Sequence, residues 1–97
     1  MKAPIQTILL PKTSMLEQPQ VSQLIRELRQ LTAWTQEELA VALGVAYGTI
    51  NRWENGRVQP SMLALKQIYA VLQDINQSAI QEVREQSQQL LEKYFAA

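Results

Sequence analysis

Between Thr35 and Gly56 the chain reads TQEELAVALGVAYGTINRWENG, and this stretch constrains the fold more than any other. Thr35 followed three residues later by Glu38 is a capping box, in which each side chain bonds the other's backbone N–H, so a helix starts here. Leu39, Ala40 and Leu43 give that helix one buried face. Gly44 stops it, because glycine accepts the left-handed conformation that helix C-termini commonly adopt. A further helix follows from about Tyr47 to Glu54, with Ile50 and Trp53 inward. Helical geometry then turns Gly48, Arg52 and Asn55 outward, with Asn51 beside them.

The rest of the chain supplies helices around this pair. From Pro19, the residues Val21, Leu24, Ile25, Leu28 and Leu31 follow the i, i+3, i+4, i+7 spacing of a first helix. After the turn NGRVQPS, Ser61 caps a fourth, whose core stripe is Leu65, Ile68, Tyr69 and Leu72. A fifth helical pattern from about Asn76 to Phe95 carries Ile80, Val83, Leu90, Leu91 and Tyr94. Residues 1–18 stand apart as an N-terminal arm punctuated by Pro4 and Pro11, with Ile5, Ile8, Leu9 and Leu10 its only apolar run. The arm reads either as a flexible tail or as a strand that pairs with the same arm of a second chain. The expected organisation is therefore an arm (1–18), a five-helix all-α unit whose central domain spans 19–75, and a C-terminal helical segment (76–97) for packing or dimerisation.

Ninety-seven residues make one domain, and 46% hydrophobic against 19% charged residues favours a packed helical protein over a disordered one. Cysteine and histidine are both absent, which removes disulfides, thiolate metal sites and the usual general base. Glu37 and Glu38 are neighbours on a helix and point in different directions, so they make no carboxylate pair for acid–base work. The chain is thus expected not to be an enzyme and to use no metal or cofactor. No apolar run reaches the roughly 20 residues of a membrane span. MKAPIQTILLPK is a poor signal peptide, so no membrane association and a cytoplasmic location are expected.

A capped helix, a glycine, a short turn and a second helix form the outline of a helix-turn-helix. T-Q-E-E-L-A, then a glycine, then T-I-x-x-W-E-N-G, then P-S before another helix, resembles the Cro/repressor-type, or Xre-type, family of helix-turn-helix proteins. The resemblance covers about Val21 to Leu72. It implies a lambda-repressor-like DNA-binding domain that lays the 47–54 recognition helix in the major groove of double-stranded DNA. It assigns base contacts to Tyr47, Gly48 and Arg52, with Asn51 a weaker candidate. A guanidinium at position 52 can bond guanine O6 and N7 bidentately. Tyr47 either meets a thymine methyl or a phosphate, or covers the edge of the core. Gly48 departs from the polar residue usual there and offers no side chain. The resemblance assigns phosphate contacts to Gln36, Thr49, Asn55 and Arg57, and links Arg29 to Glu54 as a structural pair joining the first and third helices.

Charge tempers this picture. Nine Lys+Arg balance nine Asp+Glu over the chain, whereas nucleic-acid binders usually carry a basic excess. Between Val21 and Leu72, Arg26, Arg29, Arg52, Arg57 and Lys66 face Glu27, Glu37, Glu38 and Glu54, one net positive charge. Affinity per copy should be modest, and a homodimer on a palindromic site is expected. Either the arm or the end of the fifth helix (Leu90, Leu91, Tyr94, Phe95) can make the dimer; the same four residues can also fold back on their own core. The alternative reading is a protein-interaction module, such as an antitoxin, whose arm or tail binds a toxin or other partner protein.

Overall fold

The computed structural model describes residues 18–95. Five helices follow one another: α1 (Gln20–Thr32), α2 (Gln36–Leu43), α3 (Tyr47–Glu54), α4 (Met62–Ile75) and α5 (Gln81–Phe95). No strand occurs among the described residues, and the architecture is all-α. The arm expectation lies outside them, except for Gln18. Gln18 is tied in: its Nε2 donates to the carbonyls of Val58 (2.7 Å) and Trp53 (3.3 Å). Its Oε1 accepts from the Ser22 N–H, satisfying one of the free donors at the start of α1.

Local sequence explains the helix limits. At α2, Thr35 accepts from the Glu38 N–H at 3.0 Å, and Glu38 accepts from the Thr35 N–H at 2.8 Å. Gly44 ends the helix at φ 72°, ψ 32°, a conformation natural to glycine. α1 ends differently: Ala33 holds φ 60° without being glycine, a strained choice for an alanine. Ser61 caps α4 by accepting from the Ala64 N–H.

One core joins all five helices. Val21, Leu24, Ile25 and Leu28 of α1 pack with Leu39 and Leu43 of α2, Ile50 and Trp53 of α3, and Leu65, Ile68 and Leu72 of α4. α5 crosses α1 and α4 and places Leu90, Tyr94 and Phe95 in this same core. The Phe95 ring meets Tyr69 edge-on at 5.2 Å, a favoured aromatic geometry. Ser87 is fully buried, and its hydroxyl donates to the Leu72 carbonyl near the end of α4.

The fifth helix is shorter than its sequence pattern suggests. α4 runs to Ile75, and a link through Ser78 precedes α5, which starts at Gln81 rather than near Asn76. Fifteen residues give a length of about 22 Å, not 28 Å. Ser78 makes the break: its Oγ accepts from the Ile80 N–H, while its carbonyl accepts from the Arg84 guanidinium. Ile80 consequently sits ahead of the helix and is 61% exposed, not part of the core stripe. No helix among the described residues is long and apolar enough to cross a membrane.

Candidate nucleic-acid interface

α2 and α3 meet through a turn held by backbone bonds. The Val45 N–H donates to the Ala40 carbonyl at 3.0 Å, and the Gly44 N–H donates to Val41 at 3.2 Å. Val45 is half-buried against the core, filling the angle between the helices. α3 begins after Ala46 with no side-chain cap, so its first N–H groups keep their affinity for an acceptor from outside.

The two faces of α3 divide sharply. Ile50 and Trp53 are inside the core. Glu54 is also buried, and it gathers partners from two other helices. Its Oε2 accepts from Arg29 Nη1 at 2.6 Å, and its Oε1 accepts from Gln36 Nε2 at 2.7 Å. Its backbone carbonyl accepts from Ser22 Oγ at 2.7 Å and from Arg26 Nη2 at 2.9 Å. A carboxylate taken this far from water needs such donors. Arg29 also donates through Nε to the Trp34 carbonyl, bracing the turn after α1. Of these links, the Arg29–Glu54 pairing is the one the sequence resemblance implies. Ser22, Arg26 and Gln18 carry no local signal that marks them as partners of α3 and the loop after it.

On the other face, Arg52, Asn55 and Arg57 are exposed, Tyr47 is 52% exposed, and Gly48, Thr49 and Asn51 are half-exposed. Gln36, at the start of α2, is half-buried. The polar amides on this face are linked to one another. Asn55 Nδ2 donates to Asn51 Oδ1 at 3.1 Å, and Asn51 Nδ2 donates to Gln36 Oε1 at 3.4 Å. A chain thus runs from Asn55 through Asn51 and Gln36 to Glu54. Gln36 is oriented by three-helix packing rather than left loose, and each of its amide atoms already has a protein partner.

Arg52 stands outside this network. Its side chain has no hydrogen bond or ion pair among the described residues. Its guanidinium runs back along the helix: a Cβ built on Gly48 would stand 3.3 Å from Nη1 and 4.0 Å from Cζ of Arg52. The site as a whole offers a protruding helix end with a free arginine, a tyrosine and ordered amides, flanked by Arg57 in the loop. Glu54, on the inner side of α3, is paired with Arg29, and the exposed Glu37 of α2 is the acid that lies beside Gln36 and Tyr47. That arrangement suits an anionic, edge-presenting surface such as a duplex groove.

The family model described as helix-turn-helix matches residues 25–76, from within α1 to the end of α4, which is just over half of the chain. No curated protein and no solved structure matches it significantly. The matched span contains α2, the turn at Gly44 and α3 in full. The chain belongs to the Cro/C1-type, Xre-like helix-turn-helix family of DNA-binding regulators.

Proposed function

We propose that this protein is a sequence-specific transcriptional regulator that binds a short palindromic operator as a homodimer, reading it with α3. The observation that carries the reading is the division of α3 into an anchored inner face and an outer face on which Arg52 has no side-chain partner among the described residues. Tyr47, Asn51 and Arg52 face the base edges, with the Gly48 backbone between them. Gln36, Thr49, Asn55 and Arg57 hold the flanking phosphates, fixing register without reading sequence. Gln36 keeps one amide hydrogen for this purpose beyond its bond to Glu54.

Leu90, Tyr94 and Phe95 fill this chain's own core. The two-fold contact therefore falls to the arm of residues 1–18 or to the exposed Val58, Met62 and Leu63. Val58 adjoins the end of the arm through its bond from Gln18. Paired half-sites about 34 Å apart are the expected spacing.

Selection from a random DNA library, run with the wild type and with Arg52→Ala, tests this reading. The wild type should yield a short palindrome, and the variant should relax one base pair in each half-site. Selection of no motif by the wild type would refute it.

A second reading, engagement of a partner protein such as a toxin, is favoured by Val41. It is 82% exposed on α2 beside Trp34, Glu37 and Glu38, an apolar spot rimmed by acid. Co-purification of a stoichiometric unrelated protein, lost in Val41→Lys, would support it.

A further inference from the structure

We infer that Gly48 is a positioning residue for base reading: by carrying no side chain, it lets Arg52 lay its guanidinium across the N-terminal half of α3 and present it to a guanine there. The inference rests on the recognition-helix reading above and deepens it, naming the base and the residue that aims the arginine.

Three observations carry it. Gly48 has ordinary helical backbone; the glycines with positive φ are Gly44 and Gly56. Its conformation therefore does not require glycine, and glycine inside a helix is less favourable than alanine. What Gly48 supplies is space. Within 4 Å of the position its Cβ would take, the neighbours are two atoms of the Arg52 guanidinium, Nη1 at 3.3 Å and Cζ at 4.0 Å. A methyl group would shift the exposed guanidinium by only a few tenths of an ångström, whereas a longer side chain would take its place.

Position 52 is one turn beyond position 48, and long helical side chains lean towards the N-terminus over the preceding turn. Arg52 follows that lean, and no acid among the described residues holds it. Its paired N–H donors stay available for an acceptor pair, which in the major groove is guanine O6 and N7. The N-terminal residues of a recognition helix are the ones that reach base edges. Delivered over Gly48, the guanidinium arrives at that end although its Cα lies a turn away.

The test measures affinities of the full chain and of Gly48→Ala, Gly48→Leu and Arg52→Ala for the selected operator and for operators changed at one base pair per half-site. Thermal unfolding by circular dichroism is recorded in parallel. The wild type should favour guanine at one position by about 5- to 150-fold. Arg52→Ala should abolish that preference, Gly48→Leu should lower it about tenfold, and Gly48→Ala should fall between. The unfolding midpoint of Gly48→Ala should equal or exceed the wild type's, so that lost discrimination cannot come from lost fold. Full guanine discrimination in both Gly48 variants, with loss in Arg52→Ala, overturns this inference and leaves the recognition helix standing. An Arg52→Ala protein with the motif unchanged overturns the inference alone, whereas a wild type that selects no motif overturns the underlying reading as well.

Discussion

Arg29 Nη1 and Glu54 Oε2 are bonded at 2.6 Å, and through this pair α1 holds the C-terminal end of α3 in place. The Glu54 side chain is only 10% exposed, so its charge depends on its donors. Replacing Arg29 by alanine leaves a mostly buried carboxylate with Gln36 alone. Partial exposure of Arg29 keeps the expected loss below that of a fully buried pair, at about 2–3 kcal/mol in urea unfolding. DNA affinity should fall further than stability alone explains, because Glu54 also orients Gln36.

The proposed phosphate contacts predict a different signature. Arg57→Ala should weaken binding to all sequences alike, and should reduce the slope of log affinity against log salt by about one unit per copy. Gln36→Ala should weaken binding about as uniformly, with the slope little changed, since a neutral amide displaces no counterion. Salt titrations of both variants on selected and scrambled operators measure this. A flat salt response of the wild type would favour the partner-protein reading.

The far end of the domain should respond to pH. Tyr94 donates its hydroxyl to Glu27, and Lys93 Nζ lies 3.1 Å from the same carboxylate. Burial pushes Glu27 up, but the bonds from Tyr94 and Lys93 and the lysine's charge outweigh it, holding the carboxyl below its usual 4.5. Burial, with the bond to Glu27 and its charge, pushes the Tyr94 phenol up to about 12. A lowered acid stabilises above its unfolded value, so that contribution is lost as pH falls below about 4.5. A raised phenol stabilises below pH 10, and its contribution is lost between about pH 10 and 12. Urea midpoints across pH should show both declines in the wild type. Tyr94→Phe should show smaller declines at both ends, the alkaline remainder coming from Lys93, which its bond to Glu27 holds above the usual lysine value.

α5 should be indispensable to the fold. Phe95 is 1% exposed and packs edge-on against Tyr69. Phe95→Ala should cost about 3–4 kcal/mol, read from denaturant unfolding, with a cavity left beside Tyr69. A loss below about 1 kcal/mol would mean that α5 frays from the core.

Ala33 offers the opposite sign. It is exposed and sits at φ 60° where α1 ends. Ala33→Gly relieves a left-handed alanine and should stabilise by about 0.5–1 kcal/mol, raising the thermal midpoint by several degrees.

What was legible in the sequence was local. Thr35 with Glu38, Gly44 and Ser61 announce their helix ends because capping chemistry acts over two or three residues. The inward turn of Ile50 and Trp53 follows from helical period alone, and the exposure of Arg52 follows from theirs. What was hidden spans long separations or lacks punctuation. Glu27 meets Lys93 and Tyr94 across more than sixty residues, and no local pattern marks such a trio. Gln18 looked like the last residue of an arm, yet its carboxamide bonds the backbone after α3. The break before α5 has neither glycine nor proline, so the helical pattern runs through it, and only the Ser78 turn and the exposed Ile80 reveal it. Gly48 was visible as an anomaly; its relation to Arg52 needed the side-chain path.

Ile50 and Trp53 are gripped by the core, and Glu54 by Arg29 and Gln36, so α3 draws its rigidity from the surface turned away from solvent. Tyr47, Gly48 and Arg52 contribute little to that grip. If α3 reads base edges as proposed, exchanging these three residues retargets the protein with melting behaviour nearly unchanged. In a lineage of such exchanges, the addresses recognised would diverge much faster than the scaffold that carries them.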